Sequence, residues 1–185
     1  MIKLHLPVFL VLTSFAYADI REPFLEGIKG EVKLDFSDGS MYEGQVEECL
    51  ISNKKITCFI KGMGAYTFKT GYRYEGEFKD NKPNGQGVFT SPDGQRYQGG
   101  FKDGKLNGIG IMNYPDGRRY EGEYKDNKRD GYGIMTYRDG GLYQEGSRYE
   151  GEWKNDKRDG QGIMTYLDDG RRLEGEFKED VFIGD

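Results

Sequence analysis

Tyr120-Glu121-Gly122-Glu123-Tyr124-Lys125-Asp126-Asn127-Lys128-Arg129-Asp130-Gly131-Tyr132-Gly133 is the stretch on which the fold turns. Its counterpart two repeats earlier, Tyr74-Glu75-Gly76-Glu77-Phe78-Lys79, shows the grammar most plainly. Alternation puts Tyr74, Gly76 and Phe78 on one face and Glu75, Glu77 and Lys79 on the other, the pattern of a half-buried strand. Asp80 to Asn84 has turn composition. Gly85-Gln86-Gly87-Val88-Phe89-Thr90 alternates again, with Gly85, Gly87 and Phe89 sharing a face, and Pro92-Asp93-Gly94 turns the chain onward. Each period is therefore one β-hairpin.

The unit recurs. Tyr-Glu-Gly or a variant begins at Tyr42, Tyr74, Tyr97, Tyr120, Tyr149 and, with leucine leading, Leu173; the spacings are 32, 23, 23, 29 and 24 residues. A Gly-x-Gly anchor keeps step at Gly62, Gly85, Gly108, Gly131 and Gly160, and Asp-Gly closes most units. Periodicity of this kind marks a repeat architecture. A lone hairpin is marginal in water, so the hairpins must stack. The expected fold is all-β, an elongated single-layer antiparallel meander spanning residues 36–185 in about six units, with 19–35 as a lead-in. Val32 to Gly39 reads as the second strand of a worn first unit. The last unit stops after Ile183-Gly184-Asp185 with no second strand, leaving an open edge where a second copy could pair.

Composition agrees with a sheet rather than a conventional core. The chain has 185 residues, with 29 Gly, 14 Tyr and 11 Phe. That much glycine disfavours a helical bundle, and without a strict three-residue period it is not collagen. Rings on one strand need room on the next, and glycine backbone supplies it. The net charge of −5 gives no electrostatic footprint for nucleic acid.

Residues 1–18 have the layout of an export signal: Lys3, an apolar run from Leu6 to Phe15, and Ala16-Tyr17-Ala18, with cleavage expected between Ala18 and Asp19. Export to the periplasm or the medium follows. So does the loss of His5, the only histidine, which removes imidazole as base or ligand from the mature chain.

The stretch from Tyr120 to Gly133 resembles a MORN repeat (membrane occupation and recognition nexus), and the likeness runs from about Phe36 to Phe177. The resemblance implies stacked antiparallel hairpins in a single twisted sheet. It also implies a protein-binding scaffold, with phospholipid binding proposed for some members. Departures are Tyr97-Gln98-Gly99-Gly100, which lacks both acids, and Leu173 in the tyrosine position.

Several residues are candidates for chemistry. Cys49 and Cys58 fall face to face if Asn53-Lys54 is a two-residue turn, which in an oxidising compartment gives a structural disulfide. Two cysteines without histidine make no typical zinc site. The turns at Asp80 and Asp126 have lysine where a calcium loop needs oxygen, so they are hairpin turns and not metal sites. Glu75, Glu121, Glu150 and Glu174 form a ladder of equivalent acids, unlike the distinct pair that acid–base catalysis requires. No cofactor fingerprint is present, and no enzyme activity is expected.

Two surfaces are candidates for binding. An aromatic face with Tyr97, Tyr120, Tyr124, Tyr137, Tyr149 and Trp153 suits a protein partner, and equally the sugar rings of an envelope glycan. A basic rim of Lys79, Lys82, Lys102, Lys105, Lys125, Lys128, Arg129, Lys154, Lys157 and Arg158 suits anionic lipid. The insertion Gly141 to Gly146 breaks the period and reads equally as a specificity loop or as a tolerated bulge.

Overall fold

The computed structural model describes residues 28–52, 55–138, 146–167 and 170–184. The leader with its Ala18–Asp19 junction, the Asn53-Lys54 turn and the insertion up to residue 145 lie outside the described residues. Thirteen antiparallel strands follow chain order in one open sheet, and no helix occurs among the described residues. They are β1 (Ile28–Asp35), β2 (Met41–Ser52), β3 (Lys55–Thr67), β4 (Arg73–Lys79), β5 (Lys82–Thr90), β6 (Arg96–Lys102) and β7 (Lys105–Asn113). The remainder are β8 (Arg119–Lys125), β9 (Lys128–Thr136), β10 (Arg148–Lys154), β11 (Lys157–Thr165), β12 (Arg172–Lys178) and β13 (Val181–Gly184).

Two compact units divide the chain: residues up to 92 with 101–105, and residues 93–100 with 106 onward. In the first, Gly44, Gly64, Gly76 and Gly87 stand opposite one another across β2 to β5. In the second, Gly110, Gly122, Gly133, Gly151, Gly162 and Gly175 do the same across β7 to β12. Each motif tyrosine lies over this glycine row. A Cβ on Gly87 would fall 2.5–2.7 Å from atoms of the Tyr74 side chain, and one on Gly76 would fall 2.5 Å from the Gly87 Cα. The hydroxyl then donates to the carbonyl three residues on, as in Tyr42 to Gln45 (2.7 Å), Tyr74 to Glu77 (2.8 Å) and Tyr149 to Glu152 (3.0 Å). The absence of side chains is thus what lets the ring lie flat and reach a backbone acceptor.

Between the tyrosines stand rings from the end of the same strands. Tyr42 and Tyr74 both meet Phe78 edge-on at 5.5 and 5.0 Å, and Tyr74 meets Phe101 at 4.8 Å. In the second unit Tyr120 contacts Tyr124 and Trp153, and Tyr149 contacts Trp153 and Phe177, at 5.0–5.3 Å. Edge-to-face pairs add about 0.5–1.5 kcal/mol each beyond area burial. With Met112, Met135 and Met164 these rings form the buried layer.

The turns are tighter than their composition suggests. The turn is Asp80-Asn81 alone, both with positive φ (49° and 61°), and Lys82 to Asn84 already belong to β5. Such two-residue turns match the strand twist, and Asp and Asn tolerate the left-handed region. The extra residues go into a bulge: Gly76 faces Gly87 while Phe78 faces Pro83. Glu77 closes it by accepting the Gln86 amide at 2.7 Å, and Glu123 does likewise for Tyr132 at 2.9 Å.

The first strand begins at Ile28, so part of the expected lead-in is paired with β2. The last unit does have a second strand, contrary to the sequence reading. Val181–Gly184 pairs with β12, held where Phe182 opposes Phe177 with ring centroids 5.1 Å apart. Cys49 and Cys58 are opposite one another and disulfide-bonded, in the register read from the sequence.

Candidate interaction surface

The aromatic face is not a surface. Tyr97, Tyr120 and Tyr149 are fully buried, and Trp153 and Tyr124 nearly so. Only Tyr137 of the expected set is partly exposed; its amide donates to the Ser147 carbonyl in the loop between hairpins. Burial pushes the Tyr149 phenol up to about 12 and moves those of Tyr42, Tyr74, Tyr97, Tyr120 and Tyr124 in the same direction. The rings are consumed in packing because consecutive repeats bring them within van der Waals contact.

The basic rim is also smaller than its sequence list. Arg129 and Arg158 turn inward. The Arg129 guanidinium sits 4.2 Å from the Trp153 ring centroid, and that of Arg158 lies over Tyr149 and Phe177 at 5.6 and 5.4 Å. Each pairs with an aspartate of the next turn, Asp156 and Asp180, at 3.2 Å. Lys79, Lys102, Lys125, Lys128, Lys154 and Lys157 are exposed, and Lys82 and Lys105 partly so. Lys79 faces Lys82, Lys125 faces Lys128 and Lys154 faces Lys157 across the turns.

The open face is the opposite one, and it presents residues that the sequence reading passed over. The middle residue of Gly-x-Gly and the residue two beyond it point there. Met63 is 55% exposed, Ile109 73% and Tyr132 51%. In the second unit an inner row runs Ile111, Glu121, Ile134, Glu150, Ile163, Glu174 across β7 to β12. Its acids pair with arginines two residues earlier: Arg119–Glu121 at 2.7 Å, Arg148–Glu150 at 2.5 Å and Arg172–Glu174 at 2.8 Å. An outer row runs Ile109, Glu123, Tyr132, Glu152 and then, one hairpin on, Gln161 opposite Glu176. The signal was available: alternation from the buried tyrosine fixes which face each x occupies.

In the first unit the same face carries a shallow groove of about 520 Å³ lined by Glu31, Lys33, Glu43, Met63, Arg73 and Glu75 among others. Its charges are mixed. Among the described residues no cluster of three or more His, Cys, Asp or Glu is arranged to hold a metal ion.

A sequence-family model of the MORN repeat matches residues 74–96, 97–118, 120–142 and 149–171, so the chain carries four MORN repeats. Among solved structures, the TCP domain of SAS-4 from Drosophila melanogaster, in complex with a proline-rich motif of Ana2, is similar over 86% of this chain and 93% of its own; identity is 17% and the TM-score 0.40. The TCP10c domain of Drosophila melanogaster Sas-4 is similar over 84% and 100%, at 16% identity and a TM-score of 0.38. Comparison with curated proteins finds no match.

Proposed function

We propose that this array of MORN repeats is a non-catalytic, exported scaffold that binds a protein partner through the face opposite its tyrosines. One observation carries the reading. Ile109 and Tyr132 stand exposed among rows of isoleucine and paired charge, while the aromatic layer behind them is closed. Exposed apolar residues rimmed by polar ones are the mark of an interaction surface. Export rests on the layout of residues 1–18 and agrees with the Cys49–Cys58 disulfide.

The rim lysines favour a second reading, peripheral binding to anionic phospholipid, because they concentrate positive charge beside the turns. Photocrosslinking in native envelopes separates the two. A photoreactive residue at Tyr132 should yield a protein adduct that disappears on Ile109→Glu, while one at Lys102 should not. Lipid adducts from Lys102 with none from Tyr132 would replace the scaffold by the membrane reading.

A further inference from the structure

The outer row of the open face differs from the inner one in charge. Glu121, Glu150 and Glu174 are neutralised by arginine. Glu123, Glu152 and Glu176 make no ion pair with a described cation, though Glu123 accepts the Tyr132 amide at 2.9 Å. They recur on β8, β10 and β12, which are alternate strands of the sheet. Neighbouring strands lie about 4.8 Å apart, so the three carboxylates stand roughly 9.6 Å from one to the next. Ile109 flanks the row and Tyr132 interrupts it.

We infer that this row takes a basic amphipathic helix lying across the strands, with Lys or Arg at heptad spacing over Glu123, Glu152 and Glu176 and its apolar side on Ile109, Tyr132 and the isoleucine row. The inference rests on the protein-binding reading and names the partner's chemistry. Seven helical residues advance about 10.5 Å, close to the carboxylate spacing, and the difference is within the reach of a lysine side chain. An extended segment does not fit. Its side chains on one face recur at about 6.6 or 13 Å, and a three-residue step of the right length points to the other face. An anionic bilayer is repelled by the same carboxylates.

Three synthetic peptides of three heptads and matched length test this on the full oxidised chain: lysine at every seventh position with leucine on the adjoining face, the same residues with lysine at five-residue spacing, and the heptad peptide with glutamate for lysine. The heptad-lysine peptide should bind about tenfold more tightly than either other, and should lose about tenfold in Glu123→Gln/Glu152→Gln/Glu176→Gln and again in high salt. Glutamine keeps the acceptor by which Glu123 closes its bulge, and a thermal melt confirms that the triple variant is folded. Should it not fold, the ranking of peptides on the unmodified chain decides. Equal binding of the three peptides, no binding of the first, or no effect of the folded triple variant overturns the inference. A protein adduct at Tyr132 alongside failed peptide discrimination removes the helix and leaves the scaffold standing; loss of both removes the scaffold too.

Discussion

Tyr74 and Gly87 show how much one missing methyl group decides. Gly87 has an ordinary φ, so the only obstacle to alanine there is the Tyr74 ring, whose atoms would lie 2.5–2.7 Å from the new carbon. Gly87→Ala should destabilise by about 1–3 kcal/mol, the cost of overpacking. Gln86→Ala, one residue away and exposed, should stay within about 0.5 kcal/mol. Denaturant melts of the two variants side by side check this; equal midpoints would mean that the ring moves aside freely. The pairing of rings with glycines was legible in the sequence as matched periodic positions. The reach of the hydroxyl to a carbonyl three residues on was not, because an acceptor on the backbone leaves no residue-type signature. Nor was the split role of the two acids in Tyr-Glu-Gly-Glu. The first pairs with arginine on the surface, while the second closes a bulge.

Hairpins are joined by a clasp that changes partners in a regular way. Asn81 donates its amide to the Ile60 carbonyl at 3.2 Å and accepts the Ile60 amide on its side chain at 2.6 Å. Asn127 does the same to Leu106 at 3.1 and 2.8 Å. Asp156 clasps Arg129 and Asp180 clasps Arg158, each with both bonds to the arginine backbone at 2.9 Å and two further bonds from the guanidinium. Pro83 has no amide to donate, and the residue that meets it is Gly104, with no side chain to accept; one 2.9 Å bond remains. Apolar residues thus meet asparagine, arginine meets aspartate, and proline meets glycine. Arg129→Leu and Asp156→Asn should each destabilise, and together should recover part of the loss by reproducing the Leu106–Asn127 pair. A coupling energy of about 0.5–3 kcal/mol is expected in the double-mutant cycle; strict additivity would show that the pairs are independent. Turn length escaped the sequence reading for a related reason. Lys82-Pro83-Asn84 has loop composition, yet its residues enter the sheet because the neighbouring turn clasps them.

At the scale of the whole chain, the many buried phenols act together. An unfolded tyrosine ionises near pH 10. Burial raises the folded value, for Tyr149 to about 12, and the other motif tyrosines shift in the same direction. Between those values the folded state holds more protons than the unfolded one, so the contribution is complete below pH 10 and is lost as pH rises towards and through 12. Tyrosinate absorbance and loss of strand circular dichroism should rise together in that window. Full ionisation near pH 10 with the sheet intact would contradict the burial. All-β repeat architecture was readable from period and alternation. The face that stays open was not read correctly, because aromatic composition suggested a ligand surface when neighbouring repeats already use those rings.

The clasp bears on how such a gene can change length. Tandem copies invite unequal recombination, which deletes or duplicates whole repeats in frame. Here excision of the copy that begins at Tyr97 would set Pro83 beneath Asn127, whose side chain would find no amide to accept. Excision of the copy that begins at Tyr120 would set Leu106 beneath Asp156, leaving a carboxylate without its guanidinium. Near-identical copies are therefore not interchangeable; each carries half of an address whose other half lies in the copy that follows.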